Sequence, residues 1–262
     1  MSYILPQAAP VRWARFECKY LLSERVAQEV RRWIDPYVEP DPFAARSPTH
    51  SYPISSLYMD TPGLRLFQET IDGCMRREKL RIRSYSRAVD APFFLEIKRR
   101  IDQVVEKSRV RVTRAVVADV LAGEPPSSAE LGLRGAEFQA YEAFVGLALR
   151  LGVRPCVHVG YVRQAYAALY QHDVRVTFDR DVIYSSPQEQ DALVRGPNTH
   201  DVENTRVVLE LKFNSTFPAW MQDLVHALDL HRISYSKYGQ SVATSGTRLP
   251  GLMPLTSHGD KR

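Results

Sequence analysis

Charge on every second residue is the feature of this chain that could do chemistry. Between residues 76 and 114, Arg81, Arg83, Tyr85 and Arg87 share one parity against Leu80 and Ile82. Glu96, Lys98 and Arg100 then oppose Phe93, Leu95 and Ile97, and Lys107, Arg109 and Arg111 oppose Val104, Val110 and Val112. The stretch holds thirteen Lys/Arg against five Asp/Glu, a net of +8, whereas the whole chain nets +5. Strict alternation marks a strand with two unlike faces, so three successive strands each carry one cationic and one apolar face. A solvated sheet face ordinarily mixes signs, because like charges set directly opposite one another are destabilising. A mostly cationic face calls for an anion.

The same parity recurs along the chain. Arg15, Glu17 and Lys19 alternate with Phe16, Cys18 and Tyr20, and Tyr161 and Arg163 share a face. Arg175, Thr177 and Asp179 oppose Val174, Val176 and Phe178, and Val208, Glu210 and Lys212 oppose Val207, Leu209 and Leu211. Taken singly, each charge is an ordinary solvated surface residue. Taken together, they would line a shared lumen if the sheet closes or nearly closes. A dry lumen could not hold them, since each uncompensated buried ion costs several kcal/mol. A wet lumen threaded by a polyanion could. Phosphate oxygens accept charge-assisted, often bidentate hydrogen bonds from Arg and meet Lys as a point charge. The scattered carboxylates Glu17, Glu96 and Glu210 suit a divalent cation bridging phosphate oxygens.

The elements that must position these side chains follow from pattern and punctuation. Ser23 is placed to N-cap a helix carrying Leu22, Val26, Val30 and Ile34, which Pro36 ends. Residues 38–53, with several prolines, predict a loop, 55–60 a strand, and the residues after Pro62 a short helix. Asp72-Gly73 is a turn signal leading into the basic stretch. A short helix is predicted over 115–121, stopped by Gly123 and the Pro125-Pro126 pair, and an amphipathic one over 136–151 burying Phe138, Tyr141, Phe144 and Leu149. Strands are predicted at 157–170, 173–179 and 206–213, with a polar, mobile segment at 184–204. A helix over 218–230 packs Met221, Leu224 and Leu228, and SYSKYGQ (234–240) brings Ser236 and Lys237 back to the sheet. The expected class is α+β: about eight strands, mostly antiparallel, with helices between them. One domain is expected over 13–240, with tails at 1–12 and 244–262.

Composition bounds the alternatives. A chain of 262 residues, 44% hydrophobic and 25% charged, is an ordinary globular one, and a pI near 9.1 fits an anionic partner. Cys18, Cys74 and Cys156, few and widely spaced, suggest a reducing compartment. The opening MSYILPQAAP has no signal-peptide pattern, and no apolar run approaches the ~18 residues of a membrane span. A cytoplasmic location is expected. Walker A, GxGxxG and G-x-S-x-G motifs are absent, and the seven histidines sit at no metal-ligand spacing. The basic faces lack a run of interleaved aromatics for base stacking, so nucleic acid is not expected as a partner.

ECK (17–19), KLRIRSY (79–85), LEIKR (95–99), EKSRVR (106–111), YVRQAY (161–166), VRVTFDRD (174–181), VLELKF (208–213) and SYSKYG (234–239) occur in order. Together they resemble the VTC domain, the polyphosphate polymerase domain of the vacuolar transporter chaperone complex, within the CYTH-like triphosphate tunnel metalloenzymes. The resemblance runs over roughly residues 14–240. It implies an eight-stranded antiparallel tunnel-like β-barrel with flanking helices, which binds ATP and polyphosphate with the help of Mn²⁺ or Mg²⁺. By position it implies phosphate contacts from Lys19, Arg81, Arg83, Lys98, Arg163, Arg175 and Lys237, hydrogen bonds from Tyr161 and Ser236, and a metal at Glu210. The third basic strand offers Lys107 and Arg109. The implied reaction moves the γ-phosphoryl of ATP onto a polyphosphate chain. Alternatives are a tunnel-fold triphosphatase and a non-catalytic polyanion-binding module. The wider CYTH signature, ExExK, has Arg15 in place of its first glutamate here, which favours the VTC branch over the hydrolytic one.

Overall fold

Antiparallel pairing of the alternating segments builds one sheet. The computed structural model describes residues 15–86, 88, 90–102, 104–171, 173–187, 198–202, 206–214 and 216–246. Its strands are β1 (Arg15–Leu22), β2 (Val38–Pro40), β3 (Ser51–Asp60), β4 (Arg76–Ser84), β5 (Phe93–Ile101), β6 (Val104–Val112), β7 (Arg154–Ala168), β8 (Arg175–Ser185), β9 (His200–Asp201) and β10 (Val207–Asn214). Its helices are α1 (Glu24–Ile34), α2 (Arg65–Ile71), α3 (Arg114–Ala122), α4 (Gly135–Leu151), α5 (Ala219–Ala227) and α6 (Lys237–Ser245). The main strand order is β1-β10-β8-β7-β3-β4-β5-β6, with β2 added to β7 and β9 to β8. Eight strands thus wrap toward closure without completing it, for β1 and β6 do not pair. The chain 230–236 lies against the free edge of β1, where Ile233 N–H donates to the Lys19 carbonyl at 2.8 Å.

The sheet is greasy outside and charged inside, and helices cover the outside. Leu80 and Ile82 of β4, Leu95 and Ile97 of β5 and Val110 and Val112 of β6 pack against Val116 and Val117 of α3 and Tyr141 and Phe144 of α4. On the other side Cys18 and Tyr20 of β1, Val176 and Phe178 of β8 and Leu209 and Leu211 of β10 pack against α1 and α5. Part of the interior is also apolar. Tyr58, Val157, Val159, Tyr161 and Tyr184 meet Tyr235, Tyr238 and Val242, which come from α6 and the chain leading into it.

Local chemistry sets the helix ends. The Ser23 and Thr113 hydroxyls accept from Val26 N–H and Val116 N–H, capping α1 and α3. The Asp60 carboxylate at the end of β3 accepts from Leu66 N–H (2.9 Å) and Phe67 N–H (2.8 Å) of α2 and from the Tyr238 hydroxyl of α6. One buried group therefore ties both helices to the sheet beside Lys237.

Several expectations change. The predicted loop 38–53 contains β2 and the first part of β3. Pro53 lies opposite Val162 of β7, beyond the Ser55–Met59 stretch that pairs with β4, so β3 has an open edge on one side there, the setting in which strand proline is tolerated. In α4 the buried stripe is Ala140, Tyr141, Phe144 and Leu147, whereas Phe138 and Leu149 are 43% and 60% exposed. The helical period from Phe144 reaches residues 140, 141 and 147, not 138 or 149. β8 continues to Ser185 and pairs with β9 inside the segment predicted to be mobile; residues 188–197 and 203–205 of that segment lie outside the described residues. Helix α6 runs to the fully buried Ser245, beyond the predicted start of the tail at 244. Residues 1–14 and 247–262 lie outside the described residues. Among the described residues no helix is long and apolar enough to cross a membrane.

Phe144 is fully buried where α4 meets the sheet. Phe144→Ala should lower unfolding stability by about 3–5 kcal/mol, measured by urea denaturation.

Candidate functional site

The inward faces of β1, β4, β5, β7, β8 and β10, with the start of α6, converge on a set of charges. Eight cations (Lys19, Lys79, Arg81, Arg83, Lys98, Arg163, Lys212, Lys237) meet four carboxylates (Glu17, Glu96, Asp179, Glu210). Glu96 stands in register between Arg81 of β4 and Arg109 of β6. Arg81 Nε donates to Glu96 Oε2 at 2.7 Å, and Arg109 Nε lies 3.4 Å from Oε1. Arg81 also donates to the Tyr58 hydroxyl (3.1 Å), while Arg83 donates to Ser56 Oγ (3.0 Å) and the Tyr161 hydroxyl (3.2 Å). These hydroxyls orient two guanidinium groups without neutralising them.

A second group forms around Glu210 and Asp179. Arg163 makes a bidentate pair with Asp179 (2.6 and 2.7 Å) and reaches Glu210 Oε2 at 3.2 Å. Lys212 Nζ donates to Glu210 Oε2 (2.6 Å), and Lys237 Nζ donates to Glu210 Oε1 (3.0 Å) and lies beside Asp179 Oδ2. Lys19 Nζ lies 3.1 Å from Glu17 and 3.7 Å from Glu210, and donates to the Tyr235 carbonyl. Burial alone would raise the Glu210 pKa, but Lys212, Lys237, Lys19 and Arg163 outweigh it and hold the carboxyl well below its usual range. Burial and Glu210 push Glu17 upward too, yet Lys19 and Lys98 keep it low. Both glutamates are therefore ionised at neutral pH.

Lys79 differs. Its Nζ donates to Ser236 Oγ, a neutral acceptor, at 2.8 Å. Burial first, then Lys98, Lys19, Arg77 and Arg81, drive its pKa well below the usual lysine value. Register sets Lys79 opposite Lys98 and Lys98 opposite Lys107, a row of three lysines across β4, β5 and β6. Ser236 Oγ accepts from both Lys79 and Gly239 N–H (3.0 Å). Its two acceptor sites are thus used, which leaves its O–H to donate to an incoming acceptor. A cavity of about 820 Å³ opens here, lined by Glu17, Lys19, Lys79, Lys98 and Ser236, with Arg77, Arg100 and Arg232 at its margin. Lys98 and Glu17, 3.5 Å apart, bridge the unpaired seam between β5–β6 and β1.

The VTC domain family model matches residues 14–245, nearly all of the described chain. The chain belongs to the VTC domain family. Among solved structures, it is similar to a candidate adenylate cyclase from Bacillus halodurans (11% identity, 85% of this chain and 95% of that one, TM-score 0.47). It is also similar to the PH1819 protein of Pyrococcus horikoshii OT3 (14% identity, 86% and 96%, TM-score 0.45). Curated proteins give no match.

This VTC domain brings Lys19, Arg81, Arg83, Lys98, Tyr161, Arg163, Glu210, Ser236 and Lys237 around one interior. Arg109 and Lys107 sit on the edge strand β6 with exposed side chains, facing the same way as Glu96 and Lys98. Arg175 has the parity of Thr177 and Asp179 but is exposed at the first position of β8. Arg87 lies outside the described residues. Sequence reading placed Asp179 and Lys212 on charged strand faces without giving them a site role, and it gave none to Lys79, which has the parity of Arg81 and Arg83. Ser56 and Tyr58 carried no charge signal; only pairing of β3 with β4 brings them under Arg83 and Arg81.

The three glutamates expected at a metal do not form one cluster. Glu96 is held by arginines because its strand registers between two of them, and among the described residues no group of three His, Cys, Asp or Glu could hold a metal ion. Glu17 and Glu210 share Lys19. Mg²⁺ and Mn²⁺ commonly take one or two carboxylates and complete their shell with water and phosphate oxygens. The donors Glu210 and Glu17 fit that mode, in which the metal comes with its phosphates.

Tripolyphosphate affinity should fall as pH rises through a range below the ordinary lysine value of 10.5, as Lys79 loses its proton. Lys79→Arg should move that fall upward, read by calorimetric titration. Without ligand the sign reverses. The unfolded chain keeps the Lys79 proton to higher pH, so stability rises with pH between the lowered and ordinary values, and Lys79→Met should remove that rise. Glu210→Gln leaves several cations without their shared carboxylate and should cost about 3–5 kcal/mol. Added tripolyphosphate should recover much of this in thermal melts.

Proposed function

We propose that this VTC domain is a polyphosphate polymerase, an ATP–polyphosphate phosphotransferase. The observation that carries the reading is the imbalance inside the sheet. Eight buried or half-buried cations face four carboxylates, and strand register sets Lys79, Lys98 and Lys107 side by side, with Glu17 3.5 Å from Lys98. Such a row supports a ligand with several closely spaced negative charges better than one with a single phosphate.

In the proposed reaction a terminal oxygen of the polyphosphate chain attacks the γ-phosphorus of ATP. The P–O bond to the β-phosphate breaks, and its electron pair leaves with ADP. Phosphoryl transfer asks little covalent chemistry of the protein; in-line positioning and charge neutralisation do most of it. Arg81 and Arg83 are held by hydroxyls and Glu96 in fixed orientations from which they would meet phosphate oxygens. Arg163, its fork already paired with Asp179, would add positive charge beside them. Lys98, Lys79 and Lys237 supply point charges, and the Ser236 hydroxyl donates to a phosphate oxygen. A divalent cation held by Glu210 and Glu17 together with the phosphates would supply further neutralisation of charge near the bond that breaks.

Pure protein incubated with ATP and Mn²⁺ should yield polyphosphate on a stained gel. Arg83→Ala and Glu210→Gln should each lower the rate about a hundredfold or more. Label from γ-labelled ATP appearing as free phosphate would instead indicate a triphosphatase, and tight binding without turnover a binding module. Normal synthesis by both variants would refute the assignment.

A further inference from the structure

Charged strands alone would not distinguish a nucleotide from an inorganic triphosphate. Four aromatic rings gathered beside them bear on that choice. Tyr85 follows β4 directly, six residues beyond Lys79, so roughly 20 Å along the cationic face at ~3.3 Å per residue. Phe94 lies on the same face of β5, two residues from Glu96. Tyr85 meets Phe94 edge-on at 5.7 Å and Tyr52 at 6.1 Å, and Phe43 packs edge-on against Tyr52 at 4.6 Å. Arg109 ties this group to the phosphate-type contacts. Its guanidinium lies 3.6 Å from the centre of Phe94 and 5.4 Å from that of Tyr85, while its Nε faces Glu96. Phe43 is 42% exposed and the Arg109 side chain 43% exposed, so the group is open to solvent rather than sealed in a core.

We infer that this aromatic group, with Arg109, seats the base of a nucleoside triphosphate whose phosphates extend along β4 toward Lys79. Aromatic rings and guanidinium planes both stack on nucleobases, and each stacked base contributes measurably to binding. The order along the strand suits such a ligand: rings at Tyr85, guanidinium groups at Arg83 and Arg81, lysines at Lys79 and Lys98. An inorganic polyphosphate has no use for the rings, and a buried structural cluster would not leave Phe43 and Arg109 open. The inference rests on the polymerase reading, and it assigns the nucleotide donor to the Tyr85 end of the cationic face and the lysine row to its terminal phosphates.

The test compares the affinities of ATP and of inorganic tripolyphosphate, both with Mn²⁺, in wild type, Phe43→Ala and Tyr85→Ala. Phe43 precedes a short 3-10 turn and lies outside the sheet, so its removal leaves the strand ladder intact. Each variant should weaken ATP about tenfold while tripolyphosphate changes less than about twofold, and the preserved tripolyphosphate affinity itself reports an intact site. An unchanged ratio of the two affinities, whether both fall together or neither moves, overturns the base seat. Wild type that binds neither ligand overturns the polymerase reading instead, so the two failures are distinguishable.

Discussion

Repulsion among like charges brought inside one sheet is the constraint on which this structure depends. Eight cations share four carboxylates, and Glu210 alone touches Lys212, Lys237 and Arg163 and lies near Lys19. Desolvating an ion costs several kcal/mol, and attraction in a low-dielectric interior offsets that only where the geometry is good and remaining protons find acceptors. Glu210 and Asp179 meet that condition, because β7, β10 and α6 bring Arg163, Lys212 and Lys237 to two carboxylates on β10 and β8. Lys79 is held differently: its Nζ donates to a neutral hydroxyl, Ser236 Oγ, and burial with the neighbouring cations pushes its pKa down.

The rest of the architecture follows from turning a sheet inside out. With charge directed inward, the apolar face must be covered from outside. Helices inserted between strands do this: α3 and α4 over β4–β6, and α1 and α5 over β1, β8 and β10. Inside, Tyr235, Tyr238 and Val242 fill the space the charges leave. Asp60, which accepts from α2 and from Tyr238, fixes α6 so that Lys237 at its first position enters the charged region. A helix cap and a lysine contact also coincide at Ser236, whose oxygen accepts from Gly239 N–H and Lys79 together.

The unpaired seam between β1 and β6 is part of this balance. Side chains rather than backbone bonds bridge it, through Lys98 and Glu17 at 3.5 Å, and the cavity lies along it. A fully paired barrel would fix the spacing of these charges through backbone bonds, whereas here an ion pair between side chains sets it.

Parity along each strand is set by the chain itself, since successive side chains on an extended backbone point to opposite sides. Which side chains share the interior was therefore legible for Arg81, Arg83, Lys98, Arg163 and Glu210, and the cap at Ser23 was equally local. Parity does not say which strands become neighbours. Only the order β1-β10-β8-β7-β3-β4-β5-β6 sets Glu96 between Arg81 and Arg109, away from the other glutamates, and aligns three lysines in a row. Nor does parity report depth: Arg175 shares the face of Asp179 but sits at the strand's exposed end. The aromatic group was beyond reach for the same reason, as Phe43, Tyr52, Tyr85 and Phe94 come from separate segments and meet through strand register and loop placement. Alternation is a property of one strand, fixed by backbone geometry over a few residues. Adjacency is a property of pairs of strands, decided by which apolar faces the helices can cover.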